Sequence, residues 1–348
     1  MQQINNNSIM VSIHCCAYNH EKYIRQCLEG FVMQRTNFKF EVIVHDDAST
    51  DKTATIIKEC ADKYPDIIKP IYQKENQYST CKENIDIALM AKTSGKYIAL
   101  CEGDDYWIDP YKLQKQVDFL ENNSDYVLSH TGFQYLVEYS NNEFRDSNEA
   151  TKKNLEIIKN DLPNIIEHIL NYNEYRIQTA TVLYRKDAFI KTQKDKKRQN
   201  EPFFLMGDTP LWVRLYQYGK IHFLQDDTTI YRQHLNSACR ETINLRKLRF
   251  NLSCAEMRTY FASLYNINQT YKEKFEKDYK AKLFEYMIYD QSYKPFIKVY
   301  HNITDRCLFY NIILTRPCLL LIKPFYLLSK FIKISNFKKN IKKYILNK

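Results

Sequence analysis

The sequence predicts an α/β protein, with a mostly parallel sheet flanked by helices and a helical C-terminal extension. Two observations carry this. Short apolar runs alternate with amphipathic stretches of helical length from Met10 to Cys101, and strands separated by helices of that length form βαβ units covered on both faces. The chain has 348 residues, 44% hydrophobic and 26% charged. That is enough to bury a large core and excludes disordered and fibrous classes.

In order, a strand over 10–16 leads to a helix over 22–33, and a strand over 40–45 to a helix over 53–63. A strand over 67–72 leads to a helix over 81–92, and a strand over 97–101 follows. A helix runs from Pro110 towards Asn122. Strand-like segments over 126–139 and 179–184 then flank a polar stretch with a helix over 165–170. In EPFFLMGDTPLW, Pro210 in a first helical turn starts a helix over 209–218 and puts Asp208 at its N-terminus. A strand over 221–224 and a segment over 229–234 come next, and beyond residue 240 the pattern is helical. Three regions result: 1–240, a helical extension over 241–305, and a tail over 306–348.

The charge sits in that tail. Lys and Arg total 51 against 41 acids, a net charge of +10, and residues 306–348 hold two Arg, eight Lys and no acid. The rest of the chain is balanced, so no basic face is expected on the body and no nucleic-acid partner. The apolar run over 307–333 is broken by Arg316, Pro317, Lys323, Pro324, Lys330 and Lys333. One such cation at a bilayer centre costs on the order of 3 kcal/mol, so a spanning helix is not expected. An interfacial segment is: Lys338, Lys339, Lys342 and Lys343 would meet anionic lipid at about 1 kcal/mol each. The alternative is a basic helix solvated or packed on the body. Ten cysteines without a C-x-x-C, and an N-terminus without the hallmarks of a signal peptide, point to the cytoplasm. The tail would place the protein peripherally on the inner face of the cell membrane.

Ligands of open α/β sheets bind outside the carboxyl ends of the strands. The residues to inspect are therefore Cys16 to Asn19, Asp46 and Asp47, and Glu102 to Asp105. In EVIVHDDASTDKT, Ser49 and Asp51 read as helix caps. The adjacent acids suit one carboxylate facing solvent and one accepting from a ligand such as a nucleobase imide. In YIALCEGDDYWIDP, three acids within four residues repel one another, which a divalent cation or a polyhydroxyl ligand relieves. Gly103 permits close backbone approach, and Tyr106 and Trp107 wall a pocket; a solvated acidic turn is the alternative. Asp208 is either a helix cap or a catalytic base. His234 is either a satisfied histidine after a strand or a metal ligand. Cys15 and Cys16 lie in an apolar strand and read as core.

In this order, VSIHCCAYNHEKYI, EVIVHDDASTDKT, NIDIALMAKTSGKYIAL and CEGDDYWIDPYKLQKQVDFL resemble the family 2 glycosyltransferases, which have a GT-A fold; CEGDD is a variant of that family's DXD element. The resemblance continues through MGDTPLWVRLYQYGKIHFL and IYRQH and covers residues 10–238. It implies that Tyr18 and the backbone around Cys16 and Ala17 hold the base of a nucleotide, with Asp47 accepting from the imide. Asp104 would contact ribose or sugar, and Asp105 would ligate Mn2+ or Mg2+ through the diphosphate. Asp208 falls where the family carries its catalytic base, and His234 where some members supply a further metal contact. Cys16 stands where Pro or Thr is usual. Glu83-Asn84 stands where Arg-Asn is common, leaving Lys82 or Asn76 for the diphosphate.

The activity so implied is inverting, metal-dependent transfer from a nucleotide-sugar, foremost a UDP-sugar, to a growing surface glycan such as lipopolysaccharide, or to a lipid-linked saccharide. One base and one cation suffice for that chemistry. Two other readings remain. A sugar nucleotidyltransferase needs a Gly-rich phosphate loop near the first strand, where HCCAYNHEKY has no Gly. A non-catalytic sugar-nucleotide-binding protein has no need of Asp47, Asp104, Asp105 and Asp208 together.

Overall fold

The computed structural model describes residues 8–80, 83–138, 143–146, 148–159, 165–171, 174–195, 201–234 and 244–290. The basic tail and Lys82 lie outside the described residues. Two compact units emerge. One contains the described residues up to 203 and from 207 to 234; the other contains 204–206 and those from 244.

The first unit opens with β1 (Ile9–Ala17), α1 (Ile24–Val32), β2 (Lys39–Asp46), α2 (Thr53–Lys63), β3 (Ile68–Tyr72), the short α3 (Gln77–Thr80), α4 (Glu83–Lys92) and β4 (Tyr97–Leu100). β1 is buried along most of its length, as a central strand covered on both faces must be. α1 turns Ile24, Cys27, Leu28 and Phe31, one helical face, into the same core. There follow β5 (Tyr106–Trp107), α5 (Lys112–Asn122), β6 (Tyr126–Val137), β7 (Glu143–Asp146), α6 (Asn148–Lys159), α7 (Ile165–Leu170), a 3-10 turn (Thr179–Thr181), β8 (Leu183–Arg185), α8 (Lys186–Lys194), α9 (Asp208–Tyr216) and β9 (Lys220–Gln233).

The sheet order is β3-β2-β1-β4-β8-β6-β9-β5, with β7 paired to β6. It is parallel through β3-β2-β1-β4 and mixed beyond. β8 is antiparallel to both β4 and β6, so β6 regains the direction of β1, and β9 runs parallel to β6. The carboxyl ends of β1, β2, β3, β4, β6 and β9 therefore leave one edge of the sheet. The amino end of the reversed β8, with the turn Thr179–Thr181 before it, lies on that edge too.

Several boundaries differ from expectation. Residues 179–184 divide into the turn and β8 because the Thr181 amide and hydroxyl both donate to the Gln178 carbonyl, at 2.9 and 2.6 Å. Residues 221–224 and 229–234 join in one strand, β9. The polar Gln225-Asp226-Asp227 between them reads as a loop, but the ladder to β6 continues through register shifts at Gly132. There a Cβ would fall 2.5 Å from Asp227 Oδ1. Asp208 is the first residue of α9 rather than its cap, and α9 ends at Tyr216.

In the second unit α10 (Leu245–Leu264) and α11 (Gln269–Asp290) pack through Leu252, Leu283, Tyr279 and Tyr286. The Asn244 side chain caps α10 by accepting the Lys247 amide at 2.8 Å. Among the described residues no helix is long and apolar enough to cross a membrane.

Candidate active site

β1 holds the two acidic motifs side by side. Its Ala17 carbonyl accepts the Asp47 amide and its Cys16 carbonyl accepts the Gly103 amide, each at 2.9 Å. The strand exits turn sharply: Asn19 and Ala48 sit in the left-handed region at φ 55° and 61°. The Asn19 amide donates to Ser49 Oγ at 2.9 Å and its Oδ1 accepts the Thr50 amide at 2.8 Å. Ser49, expected as a helix cap, thus braces the exit of β1. Asp51 does receive the Thr53 amide, at 2.9 Å.

In the first motif Asp47 is 4% exposed. Its Oδ1 accepts the Gln77 amide at 2.7 Å and its Oδ2 the Tyr78 amide at 2.9 Å, while its carbonyl accepts from Asn76 Nδ2 at 3.3 Å. Two amides at the start of α3 fix this carboxylate, and each oxygen retains a lone pair. Asp46 Oδ1 is buried without a hydrogen-bond partner among the described residues. The Cys16 side chain packs against Ile43, Ile85 and Leu89, while Tyr18 is 45% exposed.

In the second motif Asp104 Oδ2 lies 3.1 Å from His234 Nε2. Burial opposes ionisation of Asp104, but the His234 hydrogen bond and the nearby imidazoles His20 and His234 outweigh it and hold the carboxyl below its ordinary range. Asp105 is fully buried. Its Oδ1 accepts the Arg232 amide at 2.8 Å, and its Oδ2 has no hydrogen-bond partner among the described residues. Burial, then the charges of Asp104 and Glu102, push its carboxyl well above the ordinary range. The resemblance gave Asp105 the metal and Asp104 the sugar; the structure sets His234 against Asp104 and joins Asp105 Oδ1 to the Arg232 amide of β9. Both acids lie in the turn between β4 and β5, and it is Asp104 that meets His234. Gly103 lets the turn sit tight, since a Cβ there would lie 2.9 Å from His20 Nδ1 and 3.0 Å from Ile24 Cδ1.

Asp208 is partly buried in the first turn of α9. Its Oδ1 accepts the Thr209 amide at 2.7 Å, and its Oδ2 accepts the Thr179 hydroxyl at 3.3 Å. The next residue, Ala180, accepts Trp107 Nε1 at 2.8 Å. The 3-10 turn thereby links Asp208 to the strand that follows Asp104 and Asp105.

Among the described residues no three His, Cys, Asp or Glu side chains form a complete metal cage. Asp104 and His234 nevertheless fit a divalent cation. Two ligands each about 2.1 Å from an ion and at right angles lie about 3 Å apart, which matches their separation of 3.1 Å. Mn2+ and Mg2+ commonly complete such sites with phosphate oxygens and water.

Arg232, Tyr23, Glu138 and His20 also gather at this site, although the sequence pattern does not mark them. Arg232 is paired with Glu138 at 3.1 Å, and the Tyr23 hydroxyl donates to Glu138 at 2.9 Å. Burial and Glu138 push that phenol up to about 12, so it remains a donor. The Tyr23 ring stacks on His234 with centroids 4.8 Å apart. The one linear signal was the two-residue spacing of Arg232 and His234 in IYRQH.

Architecture and edge define an α/β domain of the GT-A class. Residues 12–193 match glycosyl transferase family 2. The chain belongs to that family, and the matched segment is a glycosyltransferase domain. The chain is 34% identical over 226 residues to Uncharacterized protein Rv1520 of Mycobacterium tuberculosis (strain ATCC 25618 / H37Rv), covering 64% of this chain and 59% of that protein's length. It is 29% identical over 216 residues to EpsE of Bacillus subtilis (strain 168), a glycosyltransferase by name, covering 62% and 69%. The crystal structure of S. aureus TarS 1-349 in complex with UDP-GlcNAc shares the fold, with a TM-score of 0.53, 16% identity and coverage of 80% and 73%.

Proposed function

We propose that this chain transfers a sugar, with inversion at the anomeric carbon, from a UDP-sugar to a hydroxyl of a surface glycan or lipid-linked saccharide under assembly. The observation that supports it most is the Thr179–Asp208 hydrogen bond, which ties the Asp208 carboxylate to the turn that precedes β8 at the carboxyl edge of the sheet. Asp104 and His234 would hold Mn2+ or Mg2+. When bound, that ion neutralises charge developing on the departing diphosphate. Asp208 accepts the proton of the acceptor hydroxyl. A single base with in-line attack inverts the configuration and needs no nucleophilic carboxylate. Asp47, held by two amides, accepts from the base imide, beside the exposed Tyr18 ring and the Cys16 backbone. Asn76, which donates to the Asp47 carbonyl, lies at this base end rather than beside the proposed cation.

TarS is crystallised with UDP-GlcNAc, which makes that donor the first to test. A panel of nucleotide-sugars in a thermal-shift assay, with and without Mn2+, checks the reading, because a ligand of the native state raises the apparent Tm. A UDP-sugar is expected to stabilise the protein only with Mn2+ and to release UDP when an acceptor is supplied. Stabilisation without UDP release under any acceptor favours a non-catalytic binder. Production of a nucleotide-sugar from nucleotide and sugar phosphate favours a nucleotidyltransferase. The tail over 306–348 is proposed, from its charge, to meet anionic lipid on the cytoplasmic face. Deleting it should release the protein from phosphatidylserine vesicles, and undiminished vesicle binding overturns that part.

A further inference from the structure

Arg232 is nearly inaccessible, at 3% exposure, and its guanidinium faces protein groups on several sides. Nη1 donates to the Asp104 carbonyl and Nη2 to Gln26 Oε1, each at 2.5 Å, and Nε lies 3.1 Å from Glu138 Oε1. Its own amide donates to Asp105 Oδ1. The cation also lies against the rings of Tyr23 and Tyr106, 4.6 and 4.9 Å from their centroids. One side chain therefore ties the end of β9 to α1, to the acidic turn and to the end of β6. His234 stands two residues further on, stacked on the same Tyr23 that donates to Glu138.

We infer that Arg232 is a positioning residue, which fixes the acidic turn and His234 in the geometry a divalent cation requires. The inference rests on reading Asp104 and His234 as the side-chain ligands of that cation. With Nη1 and Nη2 bonded to protein acceptors and Nε paired with Glu138, the nearly buried guanidinium is placed to brace the protein rather than to contact solvent. Its work is done through Asp104, whose carbonyl it grips, and through Tyr23 and Glu138, which set the plane of the His234 ring. A lysine supplies one compact ammonium in place of a planar fork and cannot hold these diverging acceptors together.

The experiment is titration calorimetry of the full chain with MnCl2, alone and with UDP, alongside the Mn2+ concentration for half-maximal turnover. Removing partners that orient metal ligands typically weakens metal affinity about 10- to 100-fold. Arg232→Lys is expected to show a loss in that range and a matching rise in the Mn2+ activation constant, with kcat largely recovered at saturating Mn2+. A merely structural arginine would lower Tm and leave the metal constant in place. An Arg232→Lys protein that binds Mn2+ like the parent overturns the inference. If that variant does not fold, Glu138→Gln, which removes a carboxylate from the guanidinium, must weaken Mn2+ binding in the same direction, and parental affinity there is equally fatal. Asp104→Asn and His234→Ala run in the same titration. If they lose Mn2+ and the Arg232 and Glu138 variants do not, the positioning role alone falls; if they bind Mn2+ normally, the cation-site reading falls and takes this inference with it.

Discussion

Nε2 of His234 lies 3.1 Å from Oδ2 of Asp104, across 130 positions of chain. A histidine and a hard carboxylate oxygen at this spacing are suited to share a divalent ion. His234→Ala and Asp104→Asn each remove a proposed ligand and are expected to weaken Mn2+ binding more than the roughly 10- to 100-fold loss typical of removing an orienting partner, Asp104→Asn most because it removes the anionic ligand. Calorimetric titration with MnCl2 measures both, and chelation by EDTA should abolish turnover in the parent.

Among the described residues Asp208 bonds to groups that an asparagine can also meet, the Thr209 amide and the Thr179 hydroxyl. Asp208→Asn is therefore expected to preserve Tm and nucleotide affinity while lowering kcat by about 10^2- to 10^4-fold, the usual contribution of a general base. Near-parental turnover by that variant removes Asp208 from the chemistry.

Gly103 has no room for a side chain beside His20 and Ile24. Gly103→Ala should cost about 1–3 kcal/mol as overpacking. Because the displaced turn carries Asp104, it should also weaken Mn2+ binding. Urea denaturation and metal titration report the two effects separately.

Lys112 is fully buried, with Nζ 2.7 Å from Gln116 Oε1 and 4.3 Å from the centroid of the Trp107 ring. Burial pulls its pKa down to about 7 from 10.5. Below pH 7 the folded and unfolded chains both carry the proton, and the cost of burying the cation is complete. Between pH 7 and 10.5 the unfolded chain binds more protons, so the contribution of Lys112 to stability improves as pH rises. Lys112→Met removes that dependence. Its stability relative to the parent should be most favourable below pH 7 and decline towards pH 10.5, as followed by urea unfolding across that range.

Much of the site was legible because strand exits announce themselves. A βα alternation places Asp47, Asp104 and Asp105 at one edge whatever the side chains do later, and Pro210 marks the start of the helix that presents Asp208. Arg232 and Glu138 were hidden for the opposite reason. Each looks like an ordinary charged residue at the end of a strand until β6 and β9 are paired and α1 is packed beside them. The acids at residues 226–227 misled the reading of β9, since their partners Lys115 and Gln134 come from distant elements.

From sequence alone came the alternation of strands and helices, the acid-bearing exits, the neutral body and the basic tail, all properties of local periodicity and composition. The tertiary structure decided that β8 runs backwards, which brings the turn at Thr179 and with it Asp208 to the carboxyl edge. It also decided which of Asp104 and Asp105 meets His234. Two neighbouring acids in one turn are alike in chemistry, and which of them meets the histidine is settled only when β9 pairs beside them.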